Sequence, residues 1–333
     1  MDILNALVVF LNFVFIPATA YGAQLALGAL GVTLIYGILR FSNFAHGDTM
    51  AFGTGITILL TIGLQSMGVS FGPLPTALLA LPLGIVLTAL FVLATDRVVY
   101  RYYRVKKADP IIMVMASVGV MFVMNGVTRM TIGVQERSFD DGMRMLVTVR
   151  GFREWSGLSE GLALRTTQVI TVVVAVAVVW ALFHFLNRTK SGKAMRAYSD
   201  NEDLALLSGI NPERVVMQTW IIAAALMVIA GTLYGLDKSY RPFNYFQMLL
   251  PIFAAAVVGG LGSPLGAIAG GFVVAFSEVA VTYPWRAVAR HLGFEPDGLL
   301  QLLTTEYKFA VSFFILIIVL LFRPTGLFRG KSV

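Results

Sequence analysis

The sequence predicts an all-α fold, a polytopic bundle of about eight to ten transmembrane helices, some of them broken. Its composition is the first observation behind this prediction. Of the 333 residues, 57% are hydrophobic and only 13% are charged, whereas about a quarter of the residues of a soluble domain carry a charge. The second observation is that the charges are clustered, which leaves long charge-free stretches. Because a spanning helix needs roughly 20 apolar residues, these stretches predict membrane crossings.

The charge-free stretches predict the elements in chain order. Three stretches are long enough for about two crossings each, namely Ile3–Leu39, Thr49–Thr95 and Pro242–Ser277. Three others fit one crossing each, namely Pro110–Thr128, Thr166–Asn187 and Val215–Leu236, and Phe309–Phe322 adds a short final one. Ala18-Thr19-Ala20 resembles a signal-peptidase site, but no basic segment precedes it. We therefore expect the residues before Pro17 to form a retained helix, either spanning the membrane or packed obliquely.

The polar loops predict the orientation. Lys and Arg gather in Asp96–Asp109, in Asn187–Arg214 and in the tail, which contains Arg323, Arg329 and Lys331. Such loops are typical of the cytoplasmic side. The intervening loop, residues 129–165, is then periplasmic. Residues 1–333 form a single transmembrane domain with a cytoplasmic C-terminus, and the net charge of +7 reflects these loops rather than binding to nucleic acid.

Two interruptions of the apolar stretches indicate a path for a solute. Irregular backbone inside a membrane is tolerated only where it is buried in protein or lines a water-filled path. The candidate path residues are Asn43, His46 and Asp48 at the first break, Gly259, Gly260 and Gly262 at the second, and Glu278 near the end of an apolar run. The alternatives are a solvated loop or a buried pair that caps a helix at the first break, and a hydrated carboxylate for Glu278.

The glycines around the second break recur at a spacing of four residues, at Gly262, Gly266 and Gly270. Gly231 and Gly235 share this spacing. Small residues at this spacing let helices approach closely. We expect this packing to lie within the chain, although a second membrane subunit could use the same face.

The loop 187–214 contains the sharpest local pattern. Asn201 can cap a helix start, Glu202 and Asp203 suit the positive end of its dipole, and Gly209 is suited to end it. A helix of about two turns is marginal alone in water, so it must dock on the membrane or on a partner. The candidate docking residues are Gly192, Arg196, Asn201, Leu204, Ala205, Leu207 and Gly209.

The sequence contains no catalytic constellation. Cysteine is absent, and His46, His184 and His291 show no metal-ligand spacing. Gly330-Lys331-Ser332 resembles the end of a P-loop, but the upstream glycine is missing and only one residue follows. We expect no metal or cofactor on this chain, so ATP-driven transport would need a separate ATPase.

Three motifs, in family order, resemble the LivH-type permeases of branched-chain amino acid ABC importers. They are Gly31–Asp48, Gly192–Arg214 and Phe253–Gly271. In addition, Thr305–Lys308 and Arg323–Gly326 resemble the C-terminal segments of these permeases. The resemblance implies a type II importer permease of the bacterial inner membrane that works by alternating access. It also implies a second homologous permease, two cytoplasmic ATPases that bind ATP and Mg²⁺, and a periplasmic binding protein. The Asn201–Ser208 helix would then be the coupling helix.

The substrate class and the mechanism each have alternatives. Ser42, Thr49 and Phe52 depart from the leucine-type pattern, and permeases for urea, short amides or other amino acids share these motifs. An ion-coupled secondary transporter using His46, Asp48 and Glu278 is the rival from another class.

Overall fold

The structure, a computed structural model, describes residues 2–139, 144–293, 300–323 and 325–328. Part of the predicted loop 129–165 (residues 140–143), Pro324 of the segment Arg323–Gly326, Arg329 and the triplet Gly330-Lys331-Ser332 lie outside the described residues. The first half contains α1 (Asp2–Phe10), α2 (Ile16–Leu39), α3 (His46–Ser66), α4 (Ala77–Thr95), α5 (Arg101–Val105), α6 (Pro110–Thr131), β1 (Met145–Val147), α7 (Val149–Ser156) and β2 (Leu164–Arg165). The second half contains α8 (Thr166–Arg188), α9 (Lys190–Asp200), α10 (Glu202–Leu207), α11 (Pro212–Asp237), α12 (Pro242–Gly259), α13 (Pro264–Thr282), α14 (Arg286–His291) and α15 (Lys308–Phe322).

The described residues contain nine helical segments long and apolar enough to cross a membrane. This number confirms the predicted range, and α15 confirms the short final crossing. The chain is a multi-pass helical membrane protein. Apolar side chains on the outer faces of α6, α8 and α15, among them Phe122, Trp180 and Phe322, are largely exposed, as expected of surfaces that lipid covers.

The first charge-free stretch forms one helix and not two crossings. Residues Ile3–Leu39 are a continuous rod of 37 residues, in which a π-helical turn at Leu11–Phe15 joins α1 to α2. The only proline of this stretch, Pro17, follows directly after the π-helical turn, so the helix continues through it with a local irregularity and no break. The prediction of two crossings was wrong because length alone does not break a helix.

The helix that begins with α4 also runs further than predicted. It continues through a π-helical turn at Asp96–Tyr100 into α5. The basic residues from Arg97 to Arg104 therefore lie on a helix, and only residues 106–109 form the loop.

The centre of the bundle is formed by α2 and α11, most of whose residues are buried. α2 packs on α8, α11, α12 and α13, and α3 and α4 cover α11 on the other side. α12 and α13 form a hairpin whose turn is the second break. Gly266 and Gly270 of α13 face the backbone of Gly259 and Ala255 in α12, so these glycines pack within the chain, as expected.

The two ends of the bundle differ. One end, called here the α7 end, carries α7, the short antiparallel β1–β2 pair and α14. Asn5 and Asn12 accept hydrogen bonds there from the backbone of Glu160 and Ala163. The opposite end, called here the α9–α10 end, carries two consecutive helices where the sequence predicted one. α10 confirms the short helix predicted at Asn201–Ser208, whereas α9 is an additional helix of 11 residues.

Candidate functional site

The first break is a buried turn of six residues between α2 and α3. Arg40 ends α2 in the left-handed conformation with φ 58°. Asn43 accepts hydrogen bonds from the backbone N–H of Ala45 (3.1 Å) and from the hydroxyl of Tyr100 (3.2 Å). The N–H of Phe44 donates to Ser117 of α6 at 3.1 Å. The irregular backbone is therefore satisfied by side chains, as required inside a membrane.

His46 and Asp48 follow this turn and lie inside the bundle. The His46 ring is fully buried against Gly31 of α2, and neither ring nitrogen has a hydrogen-bond partner among the described residues. One oxygen of Asp48 accepts a hydrogen bond from Asn125 of α6 at 2.7 Å, and the other has no partner in the described part of the chain. The two side chains occupy separate environments, facing α2 and α6.

The second break is the turn of the α12–α13 hairpin. Gly260 and Gly262 adopt φ values of 106° and 84°, a region that favours glycine. Ser263 caps α13 by accepting a hydrogen bond from the N–H of Gly266 at 3.1 Å. The tail packs on this turn, because the N–H groups of Leu327 and Phe328 donate to the carbonyls of Val258 and Gly259.

A cavity of about 540 Å³ joins this turn to α9. Gly262 lies on one side of it, the last turns of α2 and α8 form its walls, and Arg196 of α9 lies on the other side. Two hydrogen bonds tie α2 to α9 beside the cavity. The hydroxyl of Ser199 donates to the carbonyl of Gly37 at 3.0 Å, and the guanidinium of Arg40 donates to the carbonyl of Ser199 at 2.6 Å.

The short helix α10 presents an apolar surface at the α9–α10 end. Asn201 caps it by accepting a hydrogen bond from the N–H of Leu204 at 3.0 Å, and Gly209 follows it with φ 80°. Ala205 is buried against the bundle, whereas Leu204 and Leu207 are 61% and 85% exposed. An exposed apolar pair on an anchored helix is a surface suited to bind a partner.

α9 anchors α10 to the bundle. Thr189 caps α9, and Gly192 lies so close to the backbone of Phe185 and Leu186 that no side chain would fit there. The hydroxyl of Tyr198 donates to Glu202 at 2.6 Å and so joins the two helices. Burial, and then this contact with Glu202, raise the pKa of Tyr198 above its ordinary value, so the hydroxyl keeps its proton.

A cluster of charged side chains between α5 and the start of α11 was not predicted from the sequence. The indole of Trp220 donates to Asp96 at 2.8 Å, and Arg104 forms an ion pair with the same carboxylate at 2.9 Å. Glu213, at the start of α11, lies 3.5 Å from Arg104 and 3.4 Å from Arg101. Asp96 and Arg104 are eight residues apart, beyond the i,i+3 and i,i+4 spacings at which side chains on a helix meet, so no pattern in the sequence indicated this pair.

The candidate path residues do not form one site in this structure. Gly262 lines the 540 Å³ cavity at the α9–α10 end, whereas Glu278 lines a separate cavity of about 340 Å³ at the α7 end. The side chains of Asn43, His46 and Asp48 are buried between helices and line neither cavity. The candidate coupling residues, by contrast, lie together on α9 and α10. No group of three or more His, Cys, Asp or Glu side chains within the described ranges could hold a metal ion.

Comparison with known proteins gives a consistent result. Residues 15–320 match the family described as branched-chain amino acid transport system / permease component. The chain is 30% identical over 313 residues to the high-affinity branched-chain amino acid transport system permease protein LivH of Escherichia coli K12, covering 94% of this chain and 93% of that protein. It is 31% identical over 313 residues to the permease protein BraD of Pseudomonas aeruginosa, covering 94% of each. It is 28% identical over 310 residues to the probable branched-chain amino acid transport permease protein LivH of Methanocaldococcus jannaschii, covering 93% of this chain and 90% of that protein.

Proposed function

The chain belongs to the branched-chain amino acid transport permease family, and on that premise we propose that it is the permease subunit of an ABC importer for branched-chain amino acids. Its relatives over nearly the whole chain are named for this transport. The observation that carries the assignment to this type of machine is the exposed apolar surface of α10, which is anchored to the bundle through α9.

This surface is suited to seat in a groove of an ATPase. Leu204 and Leu207 supply apolar area, and Glu202 and Asp203 add charge at the start of the helix. ATP and Mg²⁺ would bind to the partner ATPases, so that hydrolysis takes place on other chains. Two such ATPases, a second homologous permease and a periplasmic binding protein would complete the importer.

The contacts of α9 support a transport cycle by alternating access. α9 is hydrogen-bonded to the end of α2 through Ser199 and Gly37, and Arg196 faces the second break across the cavity. A movement of the docked α10 would therefore be passed to α2 and to the α12–α13 turn. Opening of this end would release the solute, and closing it would reset the permease.

The orientation follows from the same contacts. If α9 and α10 bind cytoplasmic ATPases, the α9–α10 end faces the cytoplasm and the α7 end faces the periplasm. Leu327 and Phe328 pack on the α12–α13 turn at the α9–α10 end, so the C-terminus would be cytoplasmic. The inner membrane of a bacterium would hold the complex.

The test uses the complete importer, co-expressed with its ATPases, second permease and binding protein and reconstituted in proteoliposomes. We expect uptake of L-leucine that requires ATP. Leu207→Asp should lower this uptake at least about tenfold, because burying a carboxylate in an apolar groove costs several kcal/mol. Leu302→Asp is the matched control, since Leu302 is 77% exposed but lies far from α10 in sequence, beyond α13.

Two results would contradict the proposal. Leucine uptake by the purified chain alone under a proton or sodium gradient would favour an ion-coupled transporter. Uptake by Leu207→Asp at the level of wild type, with normal expression, would exclude α10 as the coupling element.

A further inference from the structure

The cavity at the α7 end has the walls of a small-molecule site. Its volume is about 340 Å³, within the range of roughly 300–1,000 Å³ for such sites. It lies between α2, α11, α13 and the start of α15. Phe13, Pro17 and Val279 give it apolar walls, and Glu278 and Lys308 give it charges of opposite sign.

Glu278 is an incompletely satisfied buried carboxylate. Its side chain is about 1% exposed. One oxygen accepts a hydrogen bond from Ser312 of α15. The carboxylate also lies beside the hydroxyl of Tyr21 and interacts with it, but no described residue gives the second oxygen a hydrogen bond of ordinary length. A buried polar group without a partner is costly, so a group in this position indicates a ligand that completes its hydrogen bonding.

Lys308 supplies the opposite charge to the same cavity. Its ammonium lies 5.5 Å from the ring centroid of Tyr21 and 4.8 Å from that of Phe309. It interacts electrostatically with Glu278 but forms no ion pair within 4 Å in the described ranges. The two charges therefore share the cavity without neutralising each other by direct contact.

One further polar atom in the cavity wall, a carboxylate oxygen of Asp237, has no hydrogen-bond partner in the described part of the chain, whereas the hydroxyl of Tyr21 lies beside the Glu278 carboxylate. The other oxygen of Asp237 lies 3.5 Å from Lys238. Lys308 and Lys238 would repel a simple cation, and Glu278 and Asp237 would repel a simple anion. The charge pattern suits a ligand that carries both charges close together.

We propose that this cavity binds a small aliphatic amino acid as its zwitterion, with the ammonium at Glu278, the carboxylate at Lys308 and the side chain against Phe13, Pro17 and Val279. The choice of ligand rests on the proposed function, and the site places recognition of the substrate at the α7 end of the permease. Affinity there can be low, since a separate binding protein delivers the solute.

The test measures binding to the purified chain in lipid nanodiscs by saturation-transfer difference NMR, which detects weak ligands. Three probes differ in one charge each: L-leucine, N-acetyl-L-leucine without the ammonium, and L-leucinamide without the carboxylate. We expect wild type to bind leucine about tenfold or more tightly than either analogue, because a charge-assisted contact contributes about 1.5–3 kcal/mol.

Each variant should lose the preference for leucine over one of the two analogues. Glu278→Gln should bind leucine and N-acetyl-leucine about equally while still discriminating against leucinamide. Lys308→Met should bind leucine and leucinamide about equally while still discriminating against N-acetyl-leucine. Glu306→Gln, at an exposed carboxylate two residues before Lys308, is the matched control and should behave as wild type. If Glu278 and Lys308 served only to stabilise the fold, each variant would change the binding of all three probes alike.

The site and the proposed function can fail separately. Absence of leucine binding to wild type, or unchanged discrimination in both folded variants, would overturn the site even if the complete importer takes up leucine. Leucine binding with these variant patterns would support the site even if ATP-driven uptake failed.

Discussion

The contact between α12 and α13 allows a sharp prediction, since it rests on backbone meeting backbone at Gly270. A Cβ atom at Gly270 would fall on the carbonyl oxygen of Ala255, 2.9 Å from the backbone nitrogen of Gly259 and 3.0 Å from the carbonyl carbon of Ala255. Ordinary contacts begin at 3.4 Å. No flexible side chain can yield there, so Gly270→Ala must push the two helices apart, by an amount on the order of 1 Å.

The size of the effect follows from two opposing contributions. Overpacking of a tight contact costs about 1–3 kcal/mol. Replacing glycine by alanine within a helix contributes about 0.5–1 kcal/mol in the other direction. The net destabilisation is then about 1.3 kcal/mol. At about 2.1 cal/mol/K of unfolding entropy per residue, this corresponds to a fall in Tm of roughly 2 °C for a chain of 333 residues.

The assay is thermal unfolding of the detergent-purified chain, followed by fluorescence-detected size-exclusion chromatography. Gly126→Ala is the matched control, because Gly126 lies in α6 and the position that an alanine methyl group would take there has nothing within 4 Å. Its Tm should be unchanged or slightly higher. A Tm for Gly270→Ala equal to or above that of Gly126→Ala would refute the close-approach reasoning.

Two further predictions concern buried hydrogen bonds to carboxylates. Trp220→Phe removes the bond from the indole to Asp96 and should cost about 1.5–3 kcal/mol, seen as a lower Tm. Trp180→Phe, at an indole that is 70% exposed, should leave Tm nearly unchanged, and equal shifts in the two variants would contradict the assignment. Asn125→Leu leaves Asp48 without its only hydrogen-bond partner among the described residues and should lower both Tm and the yield of folded protein. Asp48→Leu combined with Asn125→Leu should recover most of the loss, since the buried carboxylate is then also absent. A single variant Asn125→Leu as stable as wild type would show that the bond contributes nothing.

The membrane fold could be predicted because lipid demands a simple pattern. A charge-free stretch of sufficient length must be a helix in a bilayer, and the segments from His46 to Phe322 follow this rule. The stretch Ile3–Leu39 shows where the rule ends. Its length permits two crossings, but the structure keeps it as one helix through Pro17, with a π-helical turn at Leu11–Phe15 just before the proline.

The candidate coupling surface was predictable because its signals are local. Asn201, the acidic first turn and Gly209 specify α10 within a few residues of one another. The path residues could not be grouped in the same way, because their neighbours come from distant parts of the chain. Asp48 accepts a hydrogen bond from Asn125, and Glu278 accepts one from Ser312. No spacing in the sequence encodes these contacts.

The unbroken helix that ends at Leu39 has a mechanical consequence. Tyr21 lies in the wall of the 340 Å³ cavity and Gly37 in the wall of the 540 Å³ cavity. The two residues are joined by sixteen residues of continuous helix, about 24 Å of a stiff rod. A rigid-body translation of this rod, or a tilt about its middle, would displace both ends together. A push from α9 on Gly37 would reach Tyr21 without any chain of side-chain rearrangements, so a single rigid body could serve as the gate on both sides of the membrane.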